Sequence, residues 1–272
     1  FELFKDILKL AETGDIFAQN ELANLYLYGD GIEEDEEEGV KWLKRSADAG
    51  HWISIMDLAD CYSDGIGVSQ DKLKAIDLYK RVYELGSGEA ANRIGVIYHN
   101  QNNSEEAVKW YKKVYELGGS ASGEVANRIG LIYDNQNNSE EAVKWYRKGF
   151  DKGYDWSGYN LALSYSNGTG VPQDKQKALE LYKEVYDLEN SASGSSANAI
   201  GNVYYRQNDY EESIEWYNKG IEKNSGWAYY NLADCYYDGN GVKKDKNKAY
   251  ELYKKAAELG IEEATSIINN WY

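Results

Sequence analysis

Residues 231–260 read NLADCYYDGNGVKKDKNKAYELYKKAAELG. Leu232 and Tyr236 lie one helical turn apart, with the small Ala233 beside them, so they line one face of a short helix. Ala249, Leu252 and Tyr253 give a second helix the same kind of face. Between the two stand Gly239 and Gly241. Glycine tolerates the positive φ that a helix C-terminus often needs. The stretch therefore predicts helix, turn, helix.

Versions of it recur along the chain. The second-helix signature, a small residue followed by an apolar pair, begins at Gly39, Ala75, Ala107, Ala142, Ala178, Ser213 and Ala249, at spacings of 36, 32, 35, 36, 35 and 36 residues. The first-helix signature places Tyr26, Tyr62, Tyr98, Tyr133, Tyr165, Tyr204 and Tyr236 four residues after Leu or Ile, with Ala or Gly between. A period in this range marks a helical solenoid. The turns come in two lengths. The long form carries G-x-G at Gly29, Gly65, Gly168 and Gly239. The short form is NQNNS at 100–104 and 135–139, and RQNDY at 206–210, and Ser104 and Ser139 read as helix N-caps. The four G-x-G turns lack the lysine and preceding strand of a phosphate loop.

Composition bounds the function. Thirty basic against 46 acidic residues give a net charge of −16, which disfavours nucleic acid and anionic membrane surfaces as partners. A basic partner is admitted, and the acidity also keeps an extended protein soluble. Tyr outnumbers Phe 26 to 4, which suits thin layers where rings pack and hydroxyls stay wet. Membrane insertion is not expected. His51 and His99 stand alone, the acidic run Glu33–Glu38 fits a helix N-terminus, and neither a catalytic constellation nor a metal or cofactor site is expected.

The unit N-L-A-x-x-Y-x-x-G-x-G-V-x-x-D-x-x-K-A-x-x-L-Y closely resembles the Sel-1-like repeat, most strongly at 51–86, 154–188 and 224–260. The short-turn units at 87–118, 119–153 and 189–223 resemble tetratricopeptide repeats. The resemblance implies an all-α fold, a right-handed α-solenoid of about seven helix-turn-helix repeats. These would form one domain over 1–272, with further repeats at 16–50 and half-repeats at 1–14 and 261–272. It also implies a non-enzymatic scaffold or adaptor that binds a protein or peptide. The alternative is a structural protein assembling end to end through its terminal helices. A cysteine-rich branch of the family staples helix pairs with disulfides. Cys61 and Cys235 each lack a mate in their own unit, which favours a reducing, cytoplasmic compartment.

In such a solenoid the first helices line the concave surface. The positions expected to face a partner there are Asn92, Asn127, Tyr159, Asn198, Asn202, Tyr205, Tyr230, Asp234 and Tyr237. An Asn side chain both donates and accepts, so a ladder of them can hold an extended peptide backbone, or else bridge neighbouring helices. Trp52, Trp156 and Trp227 begin first helices and are expected mainly to pack, with an exposed aromatic shelf as the alternative. Trp42, Trp110, Trp145 and Trp216 are expected to pack within second helices.

Overall fold

The computed structural model describes residues 2–271, in which there are sixteen helices and no strand. Packing divides the chain into two compact units, one ending at Ala121 and one beginning at Ser122. The first unit holds α1 (Glu2–Glu12) and three hairpins. These are α2 (Ile16–Tyr28) with α3 (Glu36–Asp48), α4 (Trp52–Asp64) with α5 (Lys72–Tyr83), and α6 (Gly88–Asn100) with α7 (Ser104–Leu117). The second unit holds four hairpins and a final helix. They are α8 (Ser122–Asn135) with α9 (Ser139–Asp151), α10 (Asp155–Asn167) with α11 (Lys175–Asp187), α12 (Ser193–Arg206) with α13 (Tyr210–Glu222), α14 (Gly226–Asp238) with α15 (Lys246–Glu258), and then α16 (Glu262–Asn269).

At Gly95, Gly130 and Gly201 the small residue of the first helix is where the second helix inserts its tyrosine. Tyr79, Tyr111, Tyr146, Tyr182 and Tyr217 are among the largest fully or almost fully buried side chains. Where the small residue is glycine the approach is closest. A Cβ on Gly130 would lie 2.5 Å from the Tyr146 ring, and one on Gly201 2.5 Å from Tyr217. Four of the buried hydroxyls donate back to the first helix of their own repeat. Tyr79 donates to Asp60, Tyr146 to Asp134 at 2.7 Å, Tyr217 to Asn202 at 2.7 Å, and Tyr253 to Asp234.

Caps fix the helix starts. Asp35, Asp71, Asp174 and Asp245 each accept a hydrogen bond from the backbone N–H three residues on, opening α3, α5, α11 and α15. Asp245→Ala is expected to lower the stability of the second unit by about 1 kcal/mol, read as a shift of the denaturant midpoint at unchanged slope. In the short turns the cap lies one residue earlier than expected. Asn103 accepts from the Glu106 N–H at 3.2 Å and Ser104 is already helical, as is Ser139 behind Asn138. The preceding Asn102 and Asn137, at φ 58° and 59°, complete the reversal, so the next Asn lands at the cap.

The long turns have a second role. Gly29, Gly65, Gly168 and Gly239 close their helices in the left-handed conformation. At Gly67, Gly170 and Gly241 the second glycine of the turn packs on the start of the preceding repeat's second helix. A Cβ on Gly67 would lie 2.2 Å from the Glu36 carbonyl oxygen, and one on Gly170 2.2 Å from that of Ser139. The Gly67 N–H also donates to Glu36 Oε2 at 3.0 Å. These glycines therefore serve stacking within each unit.

Candidate protein-binding face of the second unit

The first helices of the second unit carry most of the expected partner-facing residues, and the structure sorts them into groups. Asn127 is buried and accepts from Asn160 Nδ2 at 2.9 Å, which ties α8 to α10. Asn231 Nδ2 donates to Asn198 Oδ1 at 2.7 Å and to Asn202 Oδ1 at 3.1 Å, which ties α14 to α12. The ladder thus bridges neighbouring helices through its oxygens. The Nδ2 groups of Asn198 and Asn202 donate to nothing else among the described residues. Tyr205 Oη accepts from Asn240 at 2.7 Å, so a long turn reaches back to the first helix of the repeat before it. Asn92 belongs to the first unit, where its buried Oδ1 has no hydrogen-bond partner among the described residues.

Tyr159, Asn198 and Asn202 do come together. With Leu163, Tyr182 and Arg206 they line a cleft of about 110 Å³ between α10, α11 and α12. Tyr182 is missing from the sequence-based set because its position repeats as a packing tyrosine. It is 2% exposed, yet its hydroxyl has no hydrogen-bond partner among the described residues. Where Asp60, Asn202 and Asp234 receive the tyrosines of their own repeats, this repeat has Leu163. Val96 and Leu131 are also apolar at this position, so Leu163 alone does not mark the site in the sequence. Burial raises the Tyr182 pKa, and the nearby Arg206 charge opposes the rise.

Aromatic rings continue the face. Trp156 meets Tyr159 edge-on at 5.6 Å, and Tyr159 leans on Tyr182 at 5.5 Å. Trp227, Tyr230 and Tyr253 repeat the arrangement at 5.6 and 5.4 Å. Tyr237 lies 5.6 Å from Trp271, with Lys244 and Lys246 over its ring. The expectation that the leading tryptophans pack is corrected at Trp52 and Trp227, which are 53% and 44% exposed. Each stands at the start of a first helix, whereas Trp42, Trp110, Trp145 and Trp216 lie buried within second helices. Those four pack, with Arg45, Lys113, Lys148 and Lys219 over their rings.

Other candidate chemistry is accounted for by packing. Cys61 and Cys235 are buried free thiols, pushed up to about 12 chiefly by desolvation. His51 is buried against Ser54 at 2.9 Å, and Arg93 and Arg128 pair with Glu89 and Glu124 one turn back. Among the described residues there is no group of three or more potential metal ligands, and no helix is long and apolar enough to cross a membrane.

Comparison with known proteins follows the same division of repeats. The profile described as Sel1 repeat matches residues 16–51, 52–87, 159–190 and 228–261, which together make up half of the chain. The chain belongs to the Sel1 repeat family. Between its Sel1 repeats, tetratricopeptide repeat profiles match 88–117, 123–151 and 196–227. A Sel1 repeat protein from Oxalobacter formigenes has a similar crystal structure, with a TM-score of 0.77 and 24% identity over 100% of this chain and 80% of that one. Yeast Tom70 shares the fold at a TM-score of 0.58 and 15% identity, over 99% of this chain and 57% of that one. A 58-residue stretch is 34% identical to an exopolysaccharide production negative regulator of Rhizobium leguminosarum bv. viciae, but spans only 22% of that protein and 21% of this chain. A Sel1 and tetratricopeptide repeat fold is typical of protein–protein interaction scaffolds and is generally not an enzyme fold.

Proposed function

We propose that the chain is a non-enzymatic scaffold that captures an extended segment of another protein on the first-helix face of its second unit. The observation that carries this reading is the placement of Leu163, 40% exposed, at the mouth of a cleft floored by Tyr159 and Tyr182. Trp227, 44% exposed at its edge-on contact with Tyr230, continues that face in a later repeat. Exposed aromatic and apolar side chains next to a cleft make good anchors. The net charge of −16 favours a segment with basic residues around its anchors, because opposite charge speeds encounter.

The test is a displayed random-peptide library selected on the full chain. Leu163→Glu is expected to weaken the selected peptides by at least about tenfold, since it places a charge where an apolar contact was. Glu184→Lys, on the exposed side of α11, is expected to leave them unchanged. Equal binding to the Leu163→Glu variant would place the peptides on another surface and remove the proposal.

A further inference from the structure

The four long turns share one frame, set by the capping residues Asp35, Asp71, Asp174 and Asp245, and their charge varies across it. Two residues before the cap, one before, one after and three after, the first turn carries Glu33, Glu34, Glu36 and Glu38. At the same four places the last turn carries Lys243, Lys244, Lys246 and Lys248. The two turns between them have uncharged residues before the cap and lysines after it. The chain therefore reverses sign from its first long turn to its last. Little of this charge is used internally. Glu38 pairs with Lys41, and Glu36 accepts from the Gly67 N–H. Asp30, Glu33, Glu34 and Glu37 are exposed and make no ion pair among the described residues. The four lysines are exposed and make none either, although Lys244 and Lys246 lie over the Tyr237 ring. The helix dipole disfavours lysine near an N-terminus, so local stability does not account for Lys246 and Lys248.

Each charged turn has an apolar companion. Tyr28, 76% exposed, ends α2 directly before the acidic turn. Beside Lys246, the side chains of Tyr237, Tyr253, Ile267 and Trp271 line a cleft of about 390 Å³. Trp271 lies 5.6 Å from Tyr237 and 5.8 Å from Tyr253, so the cleft offers ring faces and edges to one more aromatic ring. We infer that the first long turn of one copy of this chain docks on the last long turn of another. Tyr28 enters the aromatic cleft, and Asp30, Glu33 and Glu34 meet Lys243, Lys244 and Lys246. Charge complementarity selects this occupant. In a chain of net charge −16 the lysine turn calls for an acidic partner, and residues 28–34 supply an aromatic anchor followed by acids. The contact joins unlike surfaces and can repeat from copy to copy. Exposed ion pairs contribute little each and are screened by salt, so the association is weak and salt-sensitive. It lies outside the first-helix cleft at Leu163 and is independent of segment capture there.

Sedimentation equilibrium of the full chain, at concentrations up to about 0.1 mM, tests the contact. At about 0.05 M salt the average mass should rise above that of one chain, and at about 0.5 M the association should weaken about tenfold. Two triple variants decide its location. Lys243→Glu, Lys244→Glu and Lys246→Glu together set an acidic turn against the acidic turn of the next copy. Asp30→Lys, Glu33→Lys and Glu34→Lys together set lysines against lysines. Each triple variant should stay a single chain with the circular dichroism of the parent. Mixed in equal amounts the two should associate again, because the acidic turn of the first and the lysine turn of the second are both intact. Tyr28→Ser should weaken the parent's association about tenfold, the effect of removing an aromatic anchor. A single-chain mass at every concentration and both salts would overturn the inference. So would association retained by either triple variant, or a mixture whose components stay apart.

Discussion

Gly67→Ala is expected to destabilise the first unit by about 3 kcal/mol or more, whereas Gly31→Ala should cost only about 1 kcal/mol. The two glycines hold the same place in their turns, and both have positive φ, 61° and 77°. A methyl group meets the same left-handed strain at each, about 1–2 kcal/mol, offset in part by the lost freedom of the unfolded chain. They differ in what lies opposite. Around Gly31 a Cβ meets nothing within 4 Å. Around Gly67 it would lie 2.2 Å from the Glu36 carbonyl oxygen and 2.5 Å from its carbon. Backbone at the start of a helix cannot swing aside as a side chain can, so the turn must lift away from α3. Lifting it breaks the bond from the Gly67 N–H to Glu36 and opens the stack between the two repeats. Denaturant titration gives the difference between the variants. Amide exchange should report faster opening at 65–71 and at the first turn of α3 in Gly67→Ala alone. Equal losses in both would show that the second glycine serves only its own turn.

The same comparison explains what was legible in the sequence. The repeat period and its small-large alternation reflect a constraint that returns every 32 to 36 residues, so helices and turns were readable, whereas the full burial of the second-helix tyrosines was not. The docking of Gly67 and Gly170 on the preceding repeat was not, because it joins residues of different repeats, and a G-x-G motif states only local backbone freedom. The Asn ladder was half readable. Its residues stand out in Asn127, Asn198 and Asn202, but which atoms they spend on neighbours depends on Asn160 and Asn231 across the stack. Ser104 and Ser139 missed by one position because the first Asn of each pair takes the left-handed turn position and the second becomes the cap. The cleft depended on an exception. A repeat proclaims what is common to its copies, whereas the Tyr182 hydroxyl depends on two positions that vary: Leu163 where some copies have Asp or Asn, and Ser166 where another has Asp134.

That exception yields opposite signs for one substitution at two equivalent positions. Tyr253→Phe is expected to destabilise the second unit by about 2 kcal/mol, because its hydroxyl donates to the half-buried Asp234 carboxylate. Burial already raises the Asp234 pKa, with the Tyr253 hydrogen bond opposing that rise. Without the hydroxyl the folded-state pKa moves further above the unfolded value of about 3.9. The folded variant then holds its proton more tightly than the unfolded chain does, so stability falls as pH rises through that window. The deficit relative to the parent should therefore be larger at neutral pH than near pH 4, which chemical denaturation at the two pH values would read. Tyr182→Phe removes a hydroxyl that no described residue receives, so it should leave stability unchanged or raise it by up to about 1 kcal/mol. A loss at Tyr182 as large as that at Tyr253 would mean that the protein itself occupies this hydroxyl. A hydroxyl that donates to no described residue contributes no internal hydrogen bond for the substitution to remove. Asp234 closes its repeat from within, whereas Leu163 offers the Tyr182 hydroxyl no acceptor at the equivalent place.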